Sequence, residues 1–324
     1  MNKRLALVGA ALLALLPGSL LLAMSVGSTG WLWPWAADGS TQALVWELRL
    51  PRATAAWVTG ALLAVAGCLM QVLLRNPLAD PYVLGLSGGA SVFALLGLST
   101  ASWLGLPAVP VPVLAFMGAL VSTLIVFVLA RGKGPWSTTR VLLTGVVVAA
   151  GWGAIISLLL ALGSDASLRS MLFWMMGDLS YARLPLAWLV PVFLGLGVLW
   201  FRARTLNVMS QGQLQAALLG EAVQFRFWEV YLLASLLTGL AVSLAGAIGF
   251  VGLIVPHLMR LVIGADHRVL LPASACFGGA FLVVADTIAR TALAPRQLPV
   301  GVLTALIGVP LFLLLLNKAT RVRG

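Results

Sequence analysis

The sequence predicts an all-α polytopic membrane protein with about ten transmembrane helices and both termini in the cytoplasm. Of its 324 residues, 61% are hydrophobic and only 9% are charged. The mean hydropathy is +1.07, a composition that a soluble domain of this length cannot expose without aggregating. The apolar runs are also too long for the strands of a membrane barrel, and they lack period-two alternation.

Ten apolar runs are near the length of about 20 residues that a helix needs to cross the hydrocarbon core. They cover 4–26, 54–74, 82–104, 108–130, 140–162, 185–201, 227–247, 248–264, 270–290 and 299–317. The first run resembles a signal peptide, but its apolar part is too long and no small-x-small cleavage site follows, so we interpret it as a span. The eighth run is short enough to form either one helix or two half-elements.

Basic residues orient the predicted spans. With the N-terminus inside, fourteen Lys and Arg residues fall on the cytoplasmic side and six fall outside, which satisfies the positive-inside rule. The outer six are Arg49, Arg52, Arg169, Arg183, Arg290 and Arg296. The net charge of +11 therefore follows from topology, and it does not predict a nucleic-acid partner.

Motifs for catalysis or for bound metal are missing from the sequence. It contains no HExxH, no GxSxG and no phosphate-binding GxxxxGK[ST] loop, so we expect neither an enzyme nor a cofactor. His257 and His267 are ten residues apart, with no cysteine or carboxylate at ligand spacing, so no metal site is predicted. The nine acidic residues fall in loops or near span ends, whereas a proton- or sodium-coupled transporter usually keeps acids near the bilayer midplane.

Five longer stretches carry a family resemblance. They are "ELRLPRATAAWVTGALLAVAGCLMQVLLRNPLADPYVLGLSGGA" (47–90), "STTRVLLTGV" (137–146), "GAIGFVGLIVPHLMRLVIGADHRVLLP" (246–272), "ADTIAR" (285–290) and "LPVGVLTALIGVPLF" (298–312). Together they resemble the permease family of ABC importers for iron-siderophores, haem and cobalamin. The resemblance implies transport without catalysis in this chain, in a bacterial cytoplasmic (inner) membrane.

The resemblance also implies an assembly. Its expected members are a second permease subunit, with a homodimer favoured, two cytoplasmic ABC ATPase subunits, and a periplasmic or extracellular substrate-binding protein. Residues 1–324 are expected to form one transmembrane domain surrounded by membrane lipid, with a cytoplasmic coupling segment at about 205–226. The cargo is a ferric siderophore, haem or cobalamin, and the siderophore ranks first because it is the commonest cargo of the family.

Arginines before the second span are the first candidate site. Arg49 and Arg52 in "RLPR" lie on the predicted outer face, in what reads as loop sequence, and unpaired guanidiniums there suit carboxylates of a docking partner. Snorkelling into the interface is the alternative interpretation. In similar family members, matching arginines and one at the position of Arg290 receive acidic residues of the binding protein, so the resemblance favours docking.

Two short polar motifs are the second candidate site. Asn76 and Leu78 in "RNPLADP", and Thr138 and Thr139 in "STTR", are predicted on the cytoplasmic side, where the resemblance implies that they narrow the inner exit of the path. Ordinary turn and cap chemistry is compatible with this role, because Asn-Pro initiates turns and Ser137 or a neighbouring threonine makes a good helix N-cap.

The longest polar segment between spans, 207–228, is the third candidate site. A short helical patch at 216–219 ends at Gly220, as expected of an element that lies in a groove of an ATPase. The predicted coupling residues are Gln213, Ala216, Leu219 and Gly220. An amphipathic surface helix without a partner is the alternative. Family members commonly have acidic residues at the positions of Gln213 and Gln297, which puts specific ion pairs in doubt.

Two other classes of protein compete with the importer permease. A secondary transporter or channel would work without ATPases, and its distinguishing feature, an acid near the midplane, is missing from the sequence. A structural or receptor membrane protein would not need turns that resemble gates on the cytoplasmic face.

Overall fold

A computed structural model of the protein describes residues 3–35, 39–103, 110–131 and 137–321, and most of them are helical. In chain order the helices are α1 (Lys3–Ser25), α2 (Gly39–Ala43), α3 (Leu50–Leu74), α4 (Leu86–Trp103), α5 (Val111–Arg131), α6 (Thr138–Leu162), α7 (Asp165–Met175), α8 (Leu189–Phe201), α9 (Ala203–Ser210), α10 (Gln213–Leu218), α11 (Val223–Ala245), α12 (Val251–Ile263), α13 (His267–Thr291) and α14 (Val300–Arg321). A π-helix, Leu44–Arg49, joins α2 to α3, and 3₁₀ turns occupy Pro81–Leu84 and Leu186–Trp188. A small antiparallel hairpin, β1 (Val26–Gly27) with β2 (Gly30–Trp31), follows α1.

Apolar helices lie where the sequence predicts its spans. Within the described residues, five helices are long and apolar enough to cross a membrane: Thr41–Leu74, Val111–Arg131, Thr138–Leu162, Val223–Ala245 and His267–Thr291. The pair α8 and α9 forms a sixth candidate with a bend of 51°. Shorter apolar helices lie within α1, α4, α12 and α14. The all-α polytopic class is confirmed, whereas ten complete spans and two cytoplasmic termini stay predictions.

Two elements differ from or refine the sequence-based prediction. The second span is predicted from residue 54, but the helix continues back through the π-helix to Gly39, so "RLPR" is helical rather than loop. Its π-turn is the kind of local insertion that a helix uses to re-aim side chains. The eighth run forms one helix, α12, which carries Pro256 in its interior.

Helix α3 is the central helix of the bundle, and every residue from 53 to 74 is buried. Glycines let neighbouring helices cross it closely. A Cβ on Gly60 would overlap the carbonyl of Gly278 in α13, and a Cβ on Gly67 would overlap the carbonyl of Gly252 in α12. Any side chain at these crossings would force the helices apart, so these glycines serve the packing that small residues provide in lipid.

Polar contacts distinguish the two ends of the bundle. We call the end that holds Arg52 the outer face, following the charge-based orientation; it gathers the C-termini of α1 and α13 with the N-terminus of α3. The inner face is the opposite end, which holds α9, α10 and the N-terminus of α13. There Asn207 of α9 accepts the N–H of His267 at 2.9 Å, so α9 is attached directly to the long apolar helix α13.

Candidate functional site

Arg49 caps the C-terminus of α1 at the outer face. Its guanidinium donates to the carbonyls of Met24 (2.8 Å) and Ser25 (3.1 Å) and to the hydroxyl of Thr29 (2.8 Å). The residue is only 4% exposed. Carbonyls in the last turn of a helix lack an intrahelical N–H, and the helix dipole makes that end negative. Arg49 therefore satisfies acceptors that the fold itself leaves open.

Arg290 reaches the same helix end from α13. Its Nη2 donates to the carbonyl of Ala23, the residue just before the two that Arg49 bonds. Its Nε lies 3.8 Å from Oδ2 of Asp286, one turn earlier on the same helix. The outer end of α1 is thus held by arginines from two different helices.

Arg52 forms a two-pronged ion pair with Asp286. Nη2 donates to Oδ1 at 2.7 Å and Nε donates to Oδ2 at 3.0 Å. The remaining terminal nitrogen donates to Oε1 of Gln297 at 2.9 Å, and the same oxygen accepts the hydroxyl of Ser180 at 3.2 Å. The paired side chains are 13% and 4% exposed. Removing either charge would therefore leave the other desolvated and uncompensated.

These arginines line a cavity of about 260 Å³ on the outer face. Its charged lining residues are Arg49, Arg52, Arg183 and Arg290, and no carboxylate lines it among the described residues. Asp286 lies behind Arg52, so four cations and one anion leave the cluster with a net charge of +3. A concave site with that charge attracts carboxylates, which arginine binds with two parallel hydrogen bonds.

The expectation that Arg49 and Arg52 are unpaired loop residues is wrong. Both lie in helix, and both guanidiniums are bonded within the chain. Arg183 is instead the exposed arginine of the cavity, and it has no hydrogen bond or ion pair in the described ranges. Arg183 is one of the six arginines predicted on the outer side, but nothing in the sequence predicts that its loop packs against "RLPR". The docking role of Arg49, Arg52 and Arg290 stays a prediction.

Asn76 and Leu78 form a tight turn at the inner end of α3. Oδ1 of Asn76 accepts the N–H of Leu78 at 3.0 Å, and its main-chain carbonyl accepts the N–H of Ala79 at 3.0 Å. Arg75 precedes the turn in the left-handed conformation, with φ of 48°, and ends the helix. Asn76 is exposed and Leu78 is half-buried. The turn chemistry expected of Asn-Pro is therefore present.

Thr138 and Thr139 are the first two residues of α6. Ser137 is the N-cap, and its hydroxyl accepts the N–H of Arg140 at 3.3 Å. Thr139 is exposed, whereas the Thr138 hydroxyl is buried without a partner among the described residues. No hydrogen bond within the described ranges joins these threonines to the turn at 76–78, so their shared gate role stays a prediction.

The chain after the turn at 76–78 folds back against α6. Asp80 caps the 3₁₀ turn by accepting the N–H of Tyr82 at 2.8 Å, and the Tyr82 hydroxyl accepts the N–H of Ile248 at 3.1 Å. A Cβ on Gly85, whose φ is +74°, would lie 3.2 Å from the main-chain nitrogen of Ala149 in α6. Burial raises the pKa of Asp80 to about 6, although the bond from Tyr82 opposes the shift.

The two histidines make polar contacts at the inner face. Nδ1 of His267 lies 2.7 Å from Oδ1 of Asn207, whose amide nitrogen donates to Asp266 at 2.7 Å. That amide bond lowers the pKa of Asp266. His257 lies against the backbone of Pro77 in the inner turn. In the part of the chain that the structure describes, no group of three or more His, Cys, Asp or Glu residues gathers to hold a metal.

Helix α10 turns an apolar surface away from the protein. Leu214, Leu218 and Leu219 are 75%, 78% and 68% exposed. Gly220 has a φ of +84° and follows the C-cap, as the sequence predicts. Gly212, with a φ of +113°, precedes the helix beside Arg75 at the inner end of α3. Three exposed leucines on one short element form an apolar patch of the kind that marks an interaction surface.

Ala216 faces the opposite way and is fully buried. Its side chain packs inside the chain rather than on the exposed surface of α10, and its role in ATPase coupling stays a prediction. Gln213 is half-buried, and Leu219 and Gly220 are exposed. Leu218 lies in the patch predicted at 216–219, whereas Leu214 belongs to the same exposed surface but is not predicted, because a six-residue helix is too short for periodicity to assign its faces.

Residues 6–318 match the model of the FecCD transport family. Among curated relatives, the vitamin B12 import system permease protein BtuC of Vibrio cholerae is 43% identical over 295 residues, covering 89% of this chain and 87% of the relative. The cobalamin import system permease protein BtuC of Halobacterium salinarum is 44% identical over 285 residues, covering 86% and 74%. The ABC transporter permease protein YvrB of Bacillus subtilis, described as uncharacterized, is 43% identical over 284 residues, covering 86% and 80%.

Solved structures share the fold. One, described as being of the metal-chelate ABC transporter type and in an inward-facing conformation, superposes with a TM-score of 0.82 at 28% identity, covering 97% of this chain and 99% of that chain. PsaBC from Streptococcus pneumoniae in complex with Fab superposes with a TM-score of 0.56 at 16% identity, covering 84% and 92%. The second likeness concerns the fold alone.

Proposed function

The chain belongs to the FecCD transport family, and we propose that it is the membrane permease of an ATP-binding cassette importer for cobalamin or a related metal chelate. The observation that carries the cargo is identity of 43% and 44%, along most of the chain, to permeases named for vitamin B12 or cobalamin import. The names of these relatives favour cobalamin as the cargo over a ferric siderophore, the commonest cargo of the family. We treat the chain as one membrane domain with a coupling segment at about 205–226.

Permeases of this class work with a second permease and with ATPase subunits, and the second permease here is another copy of the chain. We place it against exposed apolar faces of α6 and α14, the predicted fifth and tenth spans. Leu143 and Val147 of α6 are 62% and 71% exposed, and Leu306 of α14 is 67% exposed. Two copies that meet through such walls enclose a weakly interacting path, which suits a large ligand that must be released.

The ATPase that powers transport binds at the inner face. The sequence has no phosphate-binding loop, so ATP is hydrolysed on a separate chain. The exposed leucines of α10 and its C-cap, Leu214, Leu218 and Leu219, are suited to an apolar groove on that ATPase. Because Asn207 of the adjoining α9 bonds to Asp266 and His267, a push on α10 is transmitted to the start of α13.

The arginine cavity receives the substrate-binding protein on the outer face. Arg183 makes the first contact because it is exposed and has no charge partner among the described residues. Arg49, Arg52 and Arg290 form a fixed positive floor, since their positions are set by bonds within the chain. Carboxylates of the binding protein would gain a preorganised site at little additional ordering cost.

The inner gate consists of two short polar segments that can move without unpacking a helix. Asn76 and Leu78 supply one from the turn after α3, and Thr138 and Thr139 supply the other from the start of α6. His257 of α12 lies against Pro77 in the turn, so a shift of α12 would move the turn.

The test is transport by the assembled importer in vesicles. The permease is reconstituted with its ATPase and binding protein, and uptake of cobalamin and of a ferric siderophore is measured with and without ATP and with a proton uncoupler. We expect ATP-dependent cobalamin uptake that resists the uncoupler. Uptake that ignores ATP but collapses with the uncoupler would favour a secondary transporter. ATP-dependent uptake of the siderophore alone would keep the importer class and correct the cargo.

A further inference from the structure

An apolar cavity of about 220 Å³ lies between α3, α8 and α13, well apart from the arginine cavity. Val65 of α3, Leu196 and Gly197 of α8, and Ala275 and Cys276 of α13 contribute to its walls. All of these residues lie in the halves of their helices that are nearer the inner face. The cavity is therefore at the depth of acyl chains in the inner leaflet.

A tryptophan closes the inner end of this cavity in a fixed position. Nε1 of Trp200 donates to the main-chain carbonyl of Arg268 at 2.8 Å. That carbonyl lies four residues before Pro272, which has no N–H to offer it, so the indole replaces the missing helical bond. Tryptophan prefers the boundary between hydrocarbon and water. Trp200 thus marks where the apolar cavity ends and the polar inner surface begins.

Three arginines lie near Trp200 on the side of the inner face. Arg202 and Arg204 follow the end of α8, and Arg268 is in the first turn of α13. Arg202 pairs with Glu229 at 3.3 Å. Arg204 and Arg268 are exposed, and their side chains have no ion pair in the described ranges. The acid beside Arg268, Asp266, is already bonded to Asn207 and to the N–H of Arg268.

We propose that this cavity binds one acyl chain of an anionic phospholipid of the inner leaflet, with the headgroup phosphate held by Arg204 and Arg268. The order of surfaces along the site matches the order within the lipid: apolar walls, then an indole at the interface, then free cations. A zwitterionic lipid can also place an acyl chain in the cavity, but it would be held less tightly and would leave more often, because the attraction of the arginines to anionic lipid is specific to its charge.

The proposed lipid site lies next to the segment that we propose to contact the ATPase, so a bound lipid could affect how ATP hydrolysis is coupled to transport. The headgroup would lie at the 51° bend between α8 and α9, and α9 leads directly into α10. A lipid that bridges Arg204 of α9 to Arg268 of α13 would therefore stabilise the bend that aims the coupling segment. The proposal rests on the chain being a membrane permease but not on its cargo, so cobalamin uptake can fail while lipid binding holds.

The chain provides its own reporter for this cavity. It has two cysteines; Cys276 lines the cavity and is partly exposed, whereas Cys68 is buried. The assembled transporter is placed in nanodiscs of phosphatidylcholine with or without phosphatidylglycerol, and labelling by an apolar maleimide is followed by mass spectrometry. We expect phosphatidylglycerol to slow labelling of Cys276 by about tenfold, with Cys68 unlabelled throughout. Equal labelling in both lipids would overturn the headgroup assignment.

Matched variants separate the two halves of the site. Gly197→Leu fills the cavity, and Gly195→Leu is its control, because a Cβ at either position meets open space but only Gly197 lines the cavity. Arg204→Gln with Arg268→Gln removes the cations and leaves the carbonyl that Trp200 bonds. Arg140→Gln is the control on the same face, exposed at the start of α6.

Phosphatidylglycerol should raise the melting temperature of the wild type and both controls, and it should fail to do so for Gly197→Leu and for the double Gln variant. Native mass spectrometry of the same samples should show retained phosphatidylglycerol only where that stabilisation occurs. Equal stabilisation of all variants would mean a general effect of membrane charge and would overturn the proposal. Loss in Gly195→Leu as well would overturn the assignment to this cavity.

Discussion

Arg52 and Asp286 are 234 residues apart in the chain and form a two-pronged ion pair at the outer face, with N···O distances of 2.7 and 3.0 Å. The pair joins the start of α3 to the end of α13, the two helices that cross at Gly60 and Gly278. It holds these helices together at their ends as the glycines do in their middle. An arginine that sequence reasoning assigns to a partner protein thus has a structural partner within the chain.

The first prediction concerns this ion pair. Arg52→Ala or Asp286→Ala should each lower the free energy of unfolding by about 3 kcal/mol, because each leaves a desolvated charge without its partner. The double variant should lose much less than the sum. The measurement is a double-mutant cycle from melting of the purified transporter in detergent. Arg202 and Glu229 provide the control: their side chains are 48% and 20% exposed, and their coupling should stay below about 1 kcal/mol. Strict additivity at Arg52 and Asp286 would contradict the assignment.

The second prediction assigns docking to a residue that can be changed without disturbing the fold. Arg183→Glu should slow association of the binding protein by about tenfold at low salt, and the effect should shrink as salt screens it. The melting temperature should not change, because Arg183 has no described partner. Arg169→Glu is the control, since Arg169 is also exposed on the predicted outer face but does not line the cavity. Association rates that are equal for the two variants would remove Arg183 from the docking surface.

The third prediction concerns the coupling surface. Leu214→Asp with Leu218→Asp should reduce recovery of ATPase in pull-down by about tenfold or more, because charge would enter an apolar groove, while the membrane chain keeps its melting temperature. Gln224→Asp places one negative charge in the first turn of α11, at an exposed position, and should leave recovery unchanged. Ala216→Asp should instead destabilise the chain itself, since it buries a carboxylate. Full ATPase recovery with the double leucine variant would mean that α10 is not the coupling element.

The fourth prediction is a pH dependence of stability. The pKa of Asp80 is raised to about 6, so the folded chain binds this proton more tightly than the unfolded chain does. The associated stability is fully present below about pH 4, the usual range for an aspartic acid, and it is lost as pH rises through 6. Asp80→Asn keeps a capping side chain without the titration. Between pH 4 and 7 the wild type should therefore lose about 2 kcal/mol relative to this variant in detergent melts. Parallel melting curves for the two proteins would contradict the shift.

Much of the fold is predictable from the sequence because hydrophobicity in lipid acts over whole helices. The runs at 140–162 and 270–290 become helices that end within three residues of those limits. Helix caps are predictable because they depend only on nearby residues. Ser137 caps α6, and Gly220 takes a positive φ just after α10. Each of these features depends on residues within one or two turns.

The state of individual side chains is not predictable in the same way, because it depends on distant contacts. "RLPR" reads as loop with unpaired charge, but the acceptors that bind Arg49 come from α1 and those that bind Arg52 come from α13. The faces of α10 depend on how α9 and α11 pack around Ala216. The short helix α7 follows α6 with no separate apolar run to announce it. The spacing of apolar residues along the sequence does not predict any of these contacts between distant segments.

The capped end of α1 has a consequence for biogenesis. The carbonyls of Met24 and Ser25 bond to Arg49, which leaves the ribosome soon after them, but that of Ala23 bonds to Arg290, which is made 267 residues later. Helix α1 therefore reaches its native hydrogen bonding only after α13 has been made. A nascent chain halted before α13 would therefore leave the carbonyl of Ala23 without the donor that it has in the folded protein.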